Sequence, residues 1–146
     1  MQDKIQAGLP GLPRFLGMQL LSARPDRLLA RFVVADAHGN GFGNVHGGAL
    51  MSFADTLGAI GALLNLRPGQ TTATLESKTN FLAAAPVGVT LTGESTPLHR
   101  GRRTQIWETA IRDESGRLIA KVTQTQMVLE PDSPASHPSA PKPAGT

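Results

Sequence analysis

Asn40, His46-Gly47-Gly48 and Asp55 are the residues whose types and spacing could do chemistry. Asn40 lies six residues before His46, and Asp55 nine residues after it. Each has an ordinary reading on its own. Gly47 and Gly48 make turns, and Asn40 between Gly39 and Gly41 is common turn chemistry. A single histidine in a loop more often serves structure than catalysis. Asp55 is harder to set aside. Apolar residues at Leu50, Phe53, Leu57 and Ile60 leave it at the edge of a buried helical face, where a carboxylate needs a partner, a cavity or a function. Together the pieces describe acyl chemistry. A helix N-terminus offers unpaired N–H groups and partial positive charge, and glycine there lets a carbonyl approach the backbone. Such donors polarise a carbonyl and stabilise an oxyanion. A nearby carboxylate can activate water or attack directly.

Spacing constrains how these groups can meet. Gly47 and Asp55 are eight residues apart. If the segment between them is helical, the rise is about 12 Å. A carboxylate covers only part of that, so one chain does not bring both groups onto one carbonyl. The reading that follows is a homodimer with two composite sites, each taking its glycine from one subunit and its carboxylate from the other.

The surrounding pattern supplies the scaffold. Met18 to Ala23 and Leu28 to Ala35 read as strands joined at Pro25-Asp26. After the glycine-rich loop from His38 to Gly48, Ala49 to Leu66 carries Leu50, Phe53, Leu57, Ile60 and Leu64 at helical steps, and Arg67-Pro68-Gly69 stops it. Four strands follow: Thr72 to Leu82, Val89 to Thr96, Gln105 to Arg112 and Leu118 to Leu129. In the first of these, alternation groups Thr74 with Glu76 and Lys78. Their connections are short, and Asp113-Glu-Ser-Gly116 is a hairpin signal. The class is α+β: one long helix against an antiparallel sheet of about five to six strands. Ala54, Gly58, Ala59, Gly61 and Ala62 are small, so the sheet should wrap closely around that helix.

This order and spacing resemble the hotdog-fold acyl-CoA thioesterases, in the branch that includes phenylacetate-pathway and 4-hydroxybenzoyl-CoA thioesterases. The resemblance spans roughly Phe15 to Leu129. It implies Asp55 as general base or nucleophile and the Gly47 N–H on the thioester oxygen, with Gly48 beside it against the substrate. It implies that Asn40 orients the carbonyl or the attacking water, and that His46 shapes the loop. Thr74, with Thr72 as competitor, matches the hydroxyl that assists water on the strand after the helix. The substrate implied is an acyl-CoA or aryl-CoA, with no cofactor, in a homodimer or a dimer of dimers. Phe53 and Phe81, with Leu57 and Leu75, are candidates for lining the acyl pocket or are simply core. A hotdog hydratase or dehydratase, with Asp55 abstracting a proton, is the alternative within the fold, although the dehydratases' proline-rich loop has no counterpart here. A non-catalytic acyl-CoA-binding module is the alternative of another class.

Composition narrows the rest. The chain has 146 residues and no cysteine, which removes disulfides, thiolate metal sites and cysteine nucleophiles. Asp36, His38, His46 and Asp55 match no metal spacing, and no dinucleotide or phosphate-loop signature is present. The formal charge of +3 is too small to imply nucleic acid, and 4% aromatics builds no base-stacking surface. Arg100, Arg102 and Arg103 nonetheless cluster at a hairpin tip. They are either a solvated turn or a grip on the coenzyme A phosphates, where arginine's forked donors fit well. With no signal peptide or membrane span, the expected address is the cytoplasm. Residues 1–130 read as one domain, and the proline-rich stretch 131–146 as a disordered tail.

Overall fold

The computed structural model describes residues 2–7, 9 and 11–131. Most of the proline-rich tail therefore lies outside the described residues. Two short helices, α1 (Gln2–Ala7) and α2 (Gly11–Phe15), precede strands β1 (Gln19–Arg24) and β2 (Arg27–Val33). A 3-10 turn, Asp36–His38, opens the glycine-rich loop. Helix α3 (Gly47–Leu63) follows, then β3 (Thr71–Phe81), β4 (Thr90–Arg100), β5 (Thr104–Arg112) and β6 (Leu118–Leu129). The strands form one sheet in the order β1-β2-β4-β5-β6-β3, and every neighbouring pair is antiparallel. The sheet curves around α3, which packs against β2, β3, β4, β5 and β6. This is the hotdog arrangement, and it realises the α+β class expected from the pattern.

Close approach is built from glycine. A Cβ at Gly61 would fall 2.7 Å from the Trp107 ring, and one at Gly58 would collide with the Gln124 amide. On β4, a Cβ at Gly93 would run into Phe53 and Leu57. Each helix glycine costs about 1 kcal/mol of propensity against alanine. Here that loss is offset by burying Trp107, Phe53 and Leu57, all fully excluded from solvent. Phe53 also stacks at a tilt on Phe32, with centroids 4.8 Å apart. Its place is inside the core, so it offers no surface to an acyl pocket in this chain.

Two boundaries and one strand face differ from the sequence reading in ways that bear on the site. Helix α3 begins at Gly47 rather than Ala49, because His46 caps it: the His46 Nδ1 accepts the Gly48 N–H at 2.8 Å. Strand β4 runs on through Pro97 to Arg100: Pro97 stays opposite Trp107, and Leu98 just after it is the extra residue of a bulge, a site where a sheet tolerates proline. A second bulge interrupts β3. Thr74 pairs with Gln126, but Glu76 pairs with Thr125, leaving Leu75 as the extra residue. This corrects the grouping of Thr74 with Glu76 and Lys78. Past the bulge the pleat is reversed, so Thr74 shares the helix-facing side with Ser77, Thr79 and Phe81.

Candidate active site

The loop leading to α3 is braced by His38. Its Nδ1 accepts the Ala35 N–H at 3.1 Å, so Nε2 carries the proton and donates to the Phe15 carbonyl at 3.0 Å. Phe15 and Phe32 meet the ring edge-on. The His38 carbonyl accepts the His46 N–H at 2.8 Å, which sets the entry into the helix. Asn40 does local work in the same loop: its Oδ1 accepts from Phe42 N at 2.9 Å and Asn44 N at 3.4 Å. Its Nδ2 makes no hydrogen bond among the described residues.

At the helix start the donors divide. Gly48 N–H is taken by His46, and the Ala49 and Leu50 N–H groups turn to the His46 carbonyl. Gly47 N–H has no acceptor among the described residues. The Phe81 ring flanks it, 3.0 Å from where a Gly47 Cβ would stand. Gly47, Gly48, His46 and Phe81 are thus gathered in one place. Beside them, a cavity of about 290 Å³ is lined by Leu12, Phe15, Ala49 and Ser52 as well as His46 and Gly48.

Asp55 lies two turns further along the same helix, half-buried, and it is held from the sheet. Thr74 Oγ1 donates to Asp55 Oδ1 at 2.7 Å. Gln126 Nε2 donates to that same Thr74 oxygen at 2.8 Å. Gln124 Nε2 lies 3.3 Å from Asp55 Oδ1 and 3.2 Å from the Asp55 carbonyl oxygen. Thr72, the competing hydroxyl, reaches Gln126 Oε1 at 3.0 Å and the Met127 carbonyl at 2.9 Å, not Asp55. Gln124 and Gln126 are both fully buried. The sequence reading passed over them, although two glutamines on the inward side of an alternating strand are a readable anomaly.

The arginines separate. Arg100 Nη1 contacts Asn65 Oδ1 at 3.2 Å, just past the end of α3, and the Pro25 carbonyl at 3.5 Å. Arg102 and Arg103 are exposed and line a cavity of about 340 Å³ with Met127 and Leu129. A helix of 17 residues is about 25 Å long, so this tip lies well away from Gly47 of the same chain. Among the described residues, no three His, Asp or Glu come together as a metal set. No helix there is long and apolar enough to cross a membrane.

One long helix cradled by a six-stranded antiparallel sheet is the hotdog fold of thioester hydrolases. The chain belongs to the Thioesterase superfamily, whose family profile matches residues 42–120. A 1,4-dihydroxy-2-naphthoyl-CoA hydrolase of Listeria monocytogenes is 32% identical over 110 residues, covering 75% of this chain and 88% of that protein. A proofreading thioesterase of Cronobacter turicensis is 36% identical over 106 residues, covering 73% and 77%. Among solved structures, a thioesterase of Haemophilus influenzae superposes with a TM-score of 0.85 at 25% identity, covering 94% of this chain and 95% of that one. A hypothetical thioesterase of Streptococcus pneumoniae, solved with coenzyme A, superposes with a TM-score of 0.72 at 27% identity, covering 80% and 91%.

Proposed function

We propose that this thioester hydrolase cleaves an acyl-CoA or aryl-CoA to a carboxylic acid and free coenzyme A. The carbonyl oxygen accepts the Gly47 N–H, and Asp55 acts on the carbonyl carbon. As a base, Asp55 takes a proton from water while the water oxygen bonds to that carbon. As a nucleophile, its own oxygen makes the bond, and water opens the resulting anhydride. In both routes the C–S bond breaks, and the sulfur leaves with its electron pair to be protonated as the thiol. The observation that carries this reading is the pairing of an unaccepted Gly47 N–H with a carboxylate fixed by Thr74. In this reading Asn40, through its free Nδ2, orients the carbonyl or the water, while His46 holds the helix start.

The site is shared between two copies of the chain. Gly47 and Asp55 sit on one continuous helix, about 12 Å apart along its axis. The face of α3 that carries Asp55 also exposes Met51 and Leu63, at 39% and 51%. Strand β3 is a sheet edge with no fully buried residue, and Leu75, 58% exposed, stands out from it. Unpaired edges and apolar faces of this kind call for cover, and a second copy supplies it. Arg102 and Arg103 of one subunit then serve the nucleotide phosphates of a thioester held at Gly47 of the other.

The test is release of free thiol from a panel of acyl-CoA and aryl-CoA compounds. Asp55→Asn should lower kcat by about 10²- to 10⁴-fold. Mixing Gly47→Pro chains with Asp55→Ala chains should restore part of the activity, because one of the two composite sites is then intact. Activity that survives Asp55→Asn removes the assignment of the carboxylate, and absence of rescue removes the shared site. In a single turnover in ¹⁸O-labelled water, label entering Asp55 shows the nucleophilic route with water opening the anhydride at the Asp55 carbonyl, whereas label confined to the product acid shows that water attacks the acyl carbon, as the base route requires.

A further inference from the structure

We infer that Gln124 and Gln126, buried on β6, are positioning residues that lock Asp55 through Oδ1 and leave Oδ2 as the oxygen that reacts. The inference rests on the assignment of Asp55 above and goes one step deeper into the same site. A threonine hydroxyl has one proton to give and two lone pairs. Gln126 Nε2 donates into the Thr74 oxygen at 2.8 Å, which leaves the Thr74 proton free to point to Asp55 Oδ1 at 2.7 Å. Gln126 is itself oriented, because its Oε1 faces the Thr72 hydroxyl at 3.0 Å, whose one proton is divided between that oxygen and the Met127 carbonyl at 2.9 Å. The direction of donation therefore runs Gln126 to Thr74 to Asp55, with the Thr72 hydroxyl set against the Gln126 oxygen.

Gln124 closes the other side. Its Nε2 faces two Asp55 acceptors, Oδ1 and the backbone carbonyl, so the amide cannot be turned without setting oxygen against oxygen. Its Oε1 is buried without a partner among the described residues. An amide held with one atom unsatisfied is oriented by its other end, and here that end is Asp55. Gly58 admits the Gln124 side chain against the helix, since any Cβ there would collide with its amide. Both donors converge on Oδ1, and Oδ2 has no partner among the described residues. The carboxylate is thereby held in one rotation with one oxygen spent and the other available to water or to the thioester carbon.

The experiment is a double-mutant cycle on the intact protein. The probe is whichever of benzoyl-CoA, 4-hydroxybenzoyl-CoA and hexanoyl-CoA the wild type hydrolyses fastest, followed by free thiol. Gln126→Met keeps the volume and removes the donor. It should lower kcat about tenfold with KM within about twofold, the split expected when alignment rather than binding is lost. In a Thr74→Val background the same change should cost nothing further, because Gln126 acts only through Thr74. Gln124→Met should lower kcat in both backgrounds, since it reaches Asp55 directly. A folded Gln126→Met enzyme with wild-type kcat, or one whose loss persists beside Thr74→Val, overturns the relay. If Gln126→Met does not fold, Thr72→Val loosens the relay from its far end. Its smaller loss, about two- to threefold, must likewise vanish beside Thr74→Val; a loss that stays, or none at all, overturns the inference. Asp55→Asn in the same assay keeps the outcomes apart. If it remains active, the assignment of Asp55 has failed; if it is inactive while the glutamine variants are unaffected, only the relay has.

Discussion

Replacing Gly47 with proline tests the oxyanion donor almost in isolation. Proline has no N–H, and it is favoured at the first position of a helix, where no intrahelical partner is lost. The residue before a proline must be extended, and His46 already is, at φ −72° and ψ 137°. No hydrogen bond of the fold is broken, because Gly47 N–H has no acceptor among the described residues. The cost in bulk falls on Phe81, whose ring lies 3.0 Å from the new Cβ position but is 54% exposed and can swing outward. Stiffening the unfolded chain returns about 0.4–1 kcal/mol, so the melting temperature should stay within about 4 °C of wild type. Loss of one oxyanion donor should lower kcat by about 10²- to 10³-fold, or about 2.7–4 kcal/mol. Gly47→Ala is the control: it adds the same Cβ against Phe81, keeps the N–H, and should retain kcat within about threefold of wild type. Both variants are measured by thiol release and by thermal unfolding. A folded Gly47→Pro enzyme with the kcat of Gly47→Ala would refute the assignment of the Gly47 N–H.

Other consequences follow from packing and charge. Gly61→Ala should lower stability by about 1 kcal/mol: crowding against Trp107, at 2.7 Å, costs about 1–3 kcal/mol and outweighs the helix-propensity gain of about 1 kcal/mol. A melting temperature at or above wild type would show that the core yields there. Arg102→Ala with Arg103→Ala should raise KM for acyl-CoA and leave the melting temperature in place. Arg100→Ala should instead lower the melting temperature, because Arg100 ties Asn65 to the sheet; the reverse pattern would reassign the tip. At acid pH the sign is set by two carboxyls. A hydrogen bond from Arg27 holds Glu94 below the usual carboxylate range, and hydrogen bonds led by that from Ser115 do the same for Asp113. Their contribution is present above the ordinary carboxylate pKa of about 4 and is lost as pH falls through their lowered folded values. Asp113→Asn should therefore flatten the fall in melting temperature between about pH 5 and pH 3, and an unchanged slope would sink that account.

Much of the fold was legible because it is periodic. The steps from Leu50 to Ile60 defined the one long helix, and all four of those apolar residues are buried. Strand alternation and the Asp113-Gly116 turn located the β5–β6 hairpin. The spacing from Asn40 to Asp55 was also local information, readable before any contact was known. What stayed hidden depends on an imino acid, a bulge or a cap. Pro97 reads as the end of a strand, but the bulge at Leu98 just after it is a site where a sheet tolerates proline. His46 is not a usual cap, so the helix start at Gly47 was set two residues late.

The chain by itself determined which groups are present and their order: a glycine at the head of a helix, an acid two turns on, a threonine on the next strand. Tertiary structure alone decided which of them touch. The face on which Thr74 stands depends on the Leu75 bulge, a property of β3 paired with β6 and not of β3. That pairing brings Gln124, 69 positions beyond Asp55, to the carboxylate, and Gln126 to the Thr74 hydroxyl that holds it. Local sequence carries no signal for such a contact, because a glutamine's partner is set by register across the sheet. The same geometry sent Phe53 into the core and parted Arg100 from Arg102 and Arg103. Residue type limits what a side chain can do, but its neighbours become known only when the sheet closes around the helix.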